Sequence, residues 1–156
     1  MKDIVNFSRT EERPGLAGSP VGFGGTTPPS AMPWLKSEGF ATVINLLVAA
    51  EPDAKVEECR VGAEEAGLKY IHMPLDPRNP DPGIVDNFVA AIGDAANQPV
   101  YIYCNTATRV AALWMIARVL EDGWKIDAAR DEAKTIAGKP DEAIAFATMY
   151  LESRGS

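Results

Sequence analysis

The chain is poor in the residues that build metal centres and stapled scaffolds: it has one histidine, His72, and two cysteines, Cys59 and Cys104. Two cysteines cannot form a disulfide framework, and no Cys/His cluster has metal-ligand spacing, so neither a structural metal nor a cofactor site is expected. No apolar run approaches the ~20 residues of a membrane-spanning helix, and the N-terminus lacks the apolar core of a signal peptide. As written, the chain is expected in the cytoplasm, or in the periplasm or outside the cell if a leader was trimmed. Positive charge is also in deficit, with 15 Lys and Arg against 22 Asp and Glu and a formal net charge of -7. That balance gives no footprint for nucleic acid or an anionic membrane, so any anion must be held by a local site. What remains, 156 residues of which 46% are hydrophobic and 24% charged, suits one soluble folded domain. No oligomeric state is implied.

Residues 1–20, polar and broken by Pro14, Gly15, Gly18 and Pro20, read as a surface arm without helix, ahead of a domain spanning residues 21–156. VGFGG at 21–25 suits a short strand and turn, with Gly22, Gly24 and Gly25 as turn residues rather than a phosphate cradle. The Pro28-Pro29-Ser30 cluster opens a short helix that Gly39 ends. Residues 40–48 are apolar and β-branched without clean alternation, the pattern of a strand covered on both faces. Pro52 fits the first turn of a helix running to Gly67, with Cys59 on its apolar face. A strand over 68–73 leads into the proline-rich loop PLDPRNPDPG, whose Asp81 suits a cap for the helix that follows. Further helices are expected at 126–136 and 140–151. Strands alternating with helices predict an α/β fold of three layers, with a mostly parallel central sheet flanked by helices.

In such sheets ligands bind beyond the carboxyl ends of the strands, where Cys104, Asp76 and the turn after Val48 all emerge. The stretch QPVYIYCNTATRVAALWMIARVLED, residues 98–122, reads as a buried strand, a turn and a long apolar helix. It delivers Cys104 to a helix N-terminus, where unsatisfied N–H groups and the helix dipole favour a thiolate and bind anions. Arg109 is placed to turn its donors back over the same loop and hold an oxyanion bidentately. Cys104, Asn105, Thr106, Ala107, Thr108 and Arg109 thus surround one concavity suited to attack on a phosphoester. Asp76 is the candidate acid for the leaving group and Asp81 the reserve; the competing reading of Asp76 is a turn former before Pro77. Cys59 reads as core, His72 as a satisfied or surface histidine, the Trp114, Met115 and Val119 stripe as packing, and Arg78 as a loop charge or a substrate contact.

Three segments resemble the bacterial beta-lactamase-hydrolase-like phosphatases, small relatives of the dual-specificity and tyrosine phosphatases. GGTTPPSAMPWLKSEGFATVINLL is similar to that family's opening, YIHMPLDPRNP to its strand and Pro-Val-Asp loop, and YIYCNTATRVAALW to its cysteine loop with four intervening residues. The resemblance implies a phosphatase-like fold, Cys104 as nucleophile, Arg109 as phosphate clamp, Asp76 as acid, and a phosphorylated protein or small phosphoester as substrate. Tyr103, Ala107 and Val110 stand where tyrosine phosphatases usually carry His, Gly and Ser or Thr. Two alternatives follow: a catalytically silent module that binds phosphate, and a rhodanese-like sulfurtransferase, in which four intervening residues are common.

Overall fold

The computed structural model describes residues 4–10, 20–78, 81 and 83–155. Its strands are β1 (Ser8–Thr10), β2 (Val21–Gly24), β3 (Thr42–Asn45), β4 (Lys69–His72) and β5 (Val100–Tyr103), ordered β1-β2-β5-β3-β4 in one sheet. Only the β1–β2 pair is antiparallel. All residues of β2, β3 and β5 are buried, as apolar runs without alternation require when helices cover both faces. The helices are α1 (Met32–Ser37), α2 (Val56–Glu65), α3 (Ile84–Gly93), α4 (Thr108–Leu120), α5 (Ile126–Ile136) and α6 (Pro140–Gly155).

Side chains alternate across a strand, so β5 shows which helices cover which face. Tyr101 and Tyr103 stack on one another, 5.8 Å between ring centroids, with Phe40 beside Tyr101 and Cys59 of α2 beside Tyr103. On the opposite face Phe23 meets Trp114 of α4 edge-on at 5.0 Å. α4 in turn packs against α5 and α6, and α2 against α1 and β4, which completes the three layers. Gly22 and Gly24 lie within β2, and the reason is room: a Cβ on Gly24 would stand 2.1 Å from the Tyr101 hydroxyl, and one on Gly22 2.5 Å from the Phe40 ring.

Four boundaries differ from the sequence reading. The surface arm is partly built into the sheet: Ser8–Thr10 pair with β2 and Ile4 is buried, because β2 offers an open edge and the arm carries Ile4 and Phe7 to cover it; residues 11–19 lie outside the described residues. The strand expected to run to Val48 stops at Asn45, whose Oδ1 accepts the Leu47 N–H at 2.8 Å and so diverts the backbone into a turn. The helix expected from Pro52 starts at Val56, after Lys55 in the left-handed region at φ 39°. Asp81 accepts the Gly83 N–H at 2.7 Å in a turn before α3 and does not cap it; Gly83 holds the cap position.

Candidate active site

The end of β5 delivers Cys104 to the floor of a cavity of about 210 Å³. Asn105, Thr106, Thr108 and Arg109 line it, while Ala107 is fully buried. Ala107 occupies the position before α4 at φ 62° and ψ 10°, the left-handed turn that aligns the helix's first N–H groups with the cysteine. Burial pushes the Cys104 thiol above its ordinary range, opposed in part by the Val110, Arg109 and Asn105 N–H groups and the Arg109 charge. At position 110, where a hydroxyl was missed in the sequence, the backbone N–H itself serves the sulfur. Thr106 and Thr108 do not replace that hydroxyl: they bond one another at 2.7 Å, and Thr108 Oγ1 accepts the Lys139 N–H at 3.1 Å.

Arg109 lines the cysteine cavity with the loop residues, and its guanidinium is already partnered. Its guanidinium grips Glu51 with both terminal nitrogens, at 2.7 and 2.5 Å, and also donates to the Leu75 carbonyl at 3.3 Å. This two-pronged bond holds the Glu51 carboxyl below its ordinary value and Arg109 above its own. Glu51 is in turn fixed by accepting the Val48 N–H at 2.7 Å. A guanidinium has five donors, so this arrangement orients the plane and leaves capacity for a further anion.

Asp76 is not in the cysteine cavity. It borders a second cavity of about 570 Å³, shared with Glu51, Arg78 and Arg109, and its Oδ1 accepts the Arg78 N–H at 3.0 Å. Arg109 and Pro77 border both cavities, so the two form adjoining halves of one cleft. Tyr103 points to the opposite face of the sheet, its hydroxyl buried beside Cys59 and Tyr70 without a well-formed hydrogen bond. Its presence before the cysteine therefore leaves the cavity lining unchanged. His72 is satisfied by the Leu47 carbonyl at 2.7 Å, and Cys59 is buried under Thr27.

The sequence reading missed Glu51 and the wall formed by α6. Lys139, Glu142, Ala143 and Phe146 all line the cysteine cavity. Their i, i+3, i+4, i+7 spacing was the available signal, but it marks a helix face without saying what the face covers. Among the described residues no group of three or more His, Cys, Asp or Glu side chains is placed to hold a metal ion. None of the described helices is long and apolar enough to cross a membrane.

A mainly parallel sheet that hands a cysteine to the loop before a helix, with an arginine in that helix's first turn, defines the tyrosine-phosphatase-like class of α/β domain. The chain belongs to the family described as beta-lactamase hydrolase-like protein, phosphatase-like domain, which matches residues 28–121. No match was found among curated protein sequences. Among solved structures, the chain is similar to a DUF442 protein of Shewanella putrefaciens CN-32, at 19% identity and a TM-score of 0.68 over 96% of this chain and 95% of the other. It is similar to TpbA of P. aeruginosa in complex with phosphotyrosine, at 16% identity and a TM-score of 0.64 over 81% and 77% of the two chains. It is also similar to the catalytic core of the PP-IP phosphatase Siw14 of S. cerevisiae, at 18% identity and a TM-score of 0.65 over 92% and 84%. These likenesses establish the shared fold.

Proposed function

We propose that the protein is a cysteine-dependent phosphatase of phosphate monoesters. The observation that carries this reading is the Cys104 sulfur at the floor of a cavity, met by N–H groups of Asn105, Arg109 and Val110, with Arg109 on the wall. The substrate phosphoryl group would sit on the loop amides with its charge against Arg109. Cys104 Sγ forms a bond to phosphorus as the bond to the alcohol oxygen breaks, and Asp76 supplies the proton that leaves with the alcohol. Water then attacks the phosphocysteine with the Asp76 carboxylate taking its proton, which releases phosphate and restores the thiolate. For this role Asp76 must swing across Pro77 from the adjoining cavity, breaking its bond to the Arg78 N–H. A phosphorylated protein or a small phosphoester fits the reading equally. Support comes from family membership and from the phosphatases that share the fold.

A second reading, a silent phosphate-binding module, is favoured by one specific observation: the candidate acid stands outside the cavity that holds Cys104. The deciding measurement is hydrolysis of an aryl phosphate, with EDTA present, by the native protein and by Cys104→Ser. Turnover lost in the variant supports the enzyme. Equal background rates for both, with phosphate still bound, establish the silent module, and thiosulfate-to-cyanide sulfur transfer would establish the rhodanese-like reaction instead.

A further inference from the structure

A peptide plane carries its C=O and N–H on opposite edges, so whatever fixes a carbonyl also aims the next residue's N–H. In the cysteine loop the Asn105 carbonyl is taken by the Thr26 N–H at 2.8 Å and the Thr26 hydroxyl at 3.2 Å. The Thr106 carbonyl is taken by the Gly138 N–H at 2.8 Å and by Asn6 Nδ2 at 3.1 Å. Four donors from three distant segments thus turn two successive carbonyls out of the loop. The N–H groups of Thr106 and Ala107 are left facing its inner side, where an anion would lie.

The two carbonyls are not equally secure. Thr26 continues directly from β2 and is held by the sheet, whereas the Thr106 contacts come from the N-terminal segment and from the link between α5 and α6. Asn6 lies in the left-handed region at φ 53°, which asparagine tolerates, between anchored neighbours. Ile4 is buried, Val5 donates to the Thr26 carbonyl and accepts from the Gly25 N–H, and the Phe7 ring lies 5.2 Å from Trp34 and 5.9 Å from Tyr101. At Gly138 a Cβ would stand 2.6 Å from Asn6 Nδ2 and 2.7 Å from the Thr106 carbonyl, so glycine alone fits between them. The Thr106–Ala107 peptide also has a reason to turn over. A flip would carry Ala107 from φ 62° to a negative φ, relieving a conformation that disfavours a residue with a Cβ.

We propose that Asn6 and Gly138 are positioning residues for oxyanion binding: together they lock the Thr106–Ala107 peptide with its N–H towards the bound anion and its carbonyl away. The inference rests on the reading of the cysteine loop as an oxyanion site, and it makes the N-terminal segment part of that site. Without the lock the peptide relaxes, and a carbonyl replaces an N–H in the anion's shell.

The test is the affinity of the full-length protein for inorganic phosphate, measured by calorimetry for the native chain, Asn6→Gly, Asn6→Asp and Gly138→Ala. Asn6→Gly keeps the left-handed backbone and removes only the donor, and it decides the matter even if Gly138→Ala fails to fold. Phosphate is expected to bind about tenfold more weakly to Asn6→Gly, the effect of losing one well-aimed hydrogen bond to a charged group. Asn6→Asp is expected to bind more weakly still, since its carboxylate would face the Thr106 carbonyl. Adding Ala107→Gly to Asn6→Gly is expected to restore part of the affinity, because it removes the drive to flip; a purely structural role for Asn6 would not respond in this way. Asn6→Gly binding within twofold of the native chain, or Asn6→Asp binding as well as the native chain, overturns the inference while leaving the anion site intact. No phosphate binding by the native chain overturns both.

Discussion

Two arginines on α4, nine residues apart, make the same kind of bond in different surroundings. Arg118 is gripped by Glu132 through two bonds of 2.9 Å and by Asp122 at 3.0 Å, and its plane is covered by Trp114 and Trp124 at 4.8 and 4.1 Å. Its side chain is only 2% exposed, and Trp114 Nε1 donates to the same Glu132 at 2.7 Å. Arg109 holds Glu51 with equal care, yet it borders the two cavities of the cleft. A bidentate ion pair therefore does not mark function. What differs is the setting: indole rings cover the plane of Arg118, whereas Arg109 borders open cleft.

The comparison predicts opposite outcomes for the two arginines. Arg118→Ala takes the cation from Asp122 and Glu132 and empties the space between two tryptophans, so unfolding should become easier by about 3–5 kcal/mol, while phosphate affinity per folded molecule stays unchanged. Arg109→Ala should do the reverse, abolishing measurable phosphate binding while shifting stability by about 1 kcal/mol or less, since its ion pair is partly exposed. Denaturant unfolding beside phosphate calorimetry checks both, and if Arg118→Ala proved the weaker binder the contrast would collapse.

Glu51 tests whether orientation of Arg109 matters in addition to its charge. Glu51→Gln keeps the shape but loses the two-pronged grip, and kcat/KM on an aryl phosphate should fall about 10- to 100-fold through misplacement of the guanidinium. The same residue sets an acid limit. Its native value lies below the ordinary 4.5 because Arg109 holds the charged form, so the pair stabilises the fold fully above about 4.5. That stabilisation is lost as pH falls through the lowered native value, because the unfolded chain takes up the proton first. An acid-unfolding curve of Glu51→Gln should lack this component; an unaltered curve would show that the pair adds nothing to stability.

The sequence made some of this site legible because the relevant signals were local. Strand, cysteine, turn and helix are contiguous from 100 to 120, and the absence of alternation over residues 40–48 marked β3 as a strand buried on both faces. Glu51 was invisible because its bond to Arg109 spans 58 residues and depends on where the β3 turn aims a carboxylate. Asn6 was read away with a polar arm, since no periodicity reveals a three-residue edge strand or the side chain beside it. Asp76 was singled out by its place after β4, but spacing could not tell that it would border the adjoining cavity and not the one that holds Cys104.

Ala107 carries the smallest expected effect and joins both halves of the comparison, because it sets the path from Cys104 into α4. Alanine stands here where the family resemblance places glycine, and the structure holds it at φ 62°. A Cβ in this region costs about 1–2 kcal/mol, while glycine gives back part of that gain through the greater freedom of its unfolded chain. Ala107→Gly should therefore stabilise the fold by about 0.5–1 kcal/mol, a rise in Tm of roughly 1–4 °C. Phosphate affinity should hold or improve, since the relaxed turn keeps the N–H groups of residues 106 and 107 facing the anion. A loss of stability would show that the left-handed turn is held without strain, and that the pressure on the Thr106–Ala107 peptide comes from elsewhere.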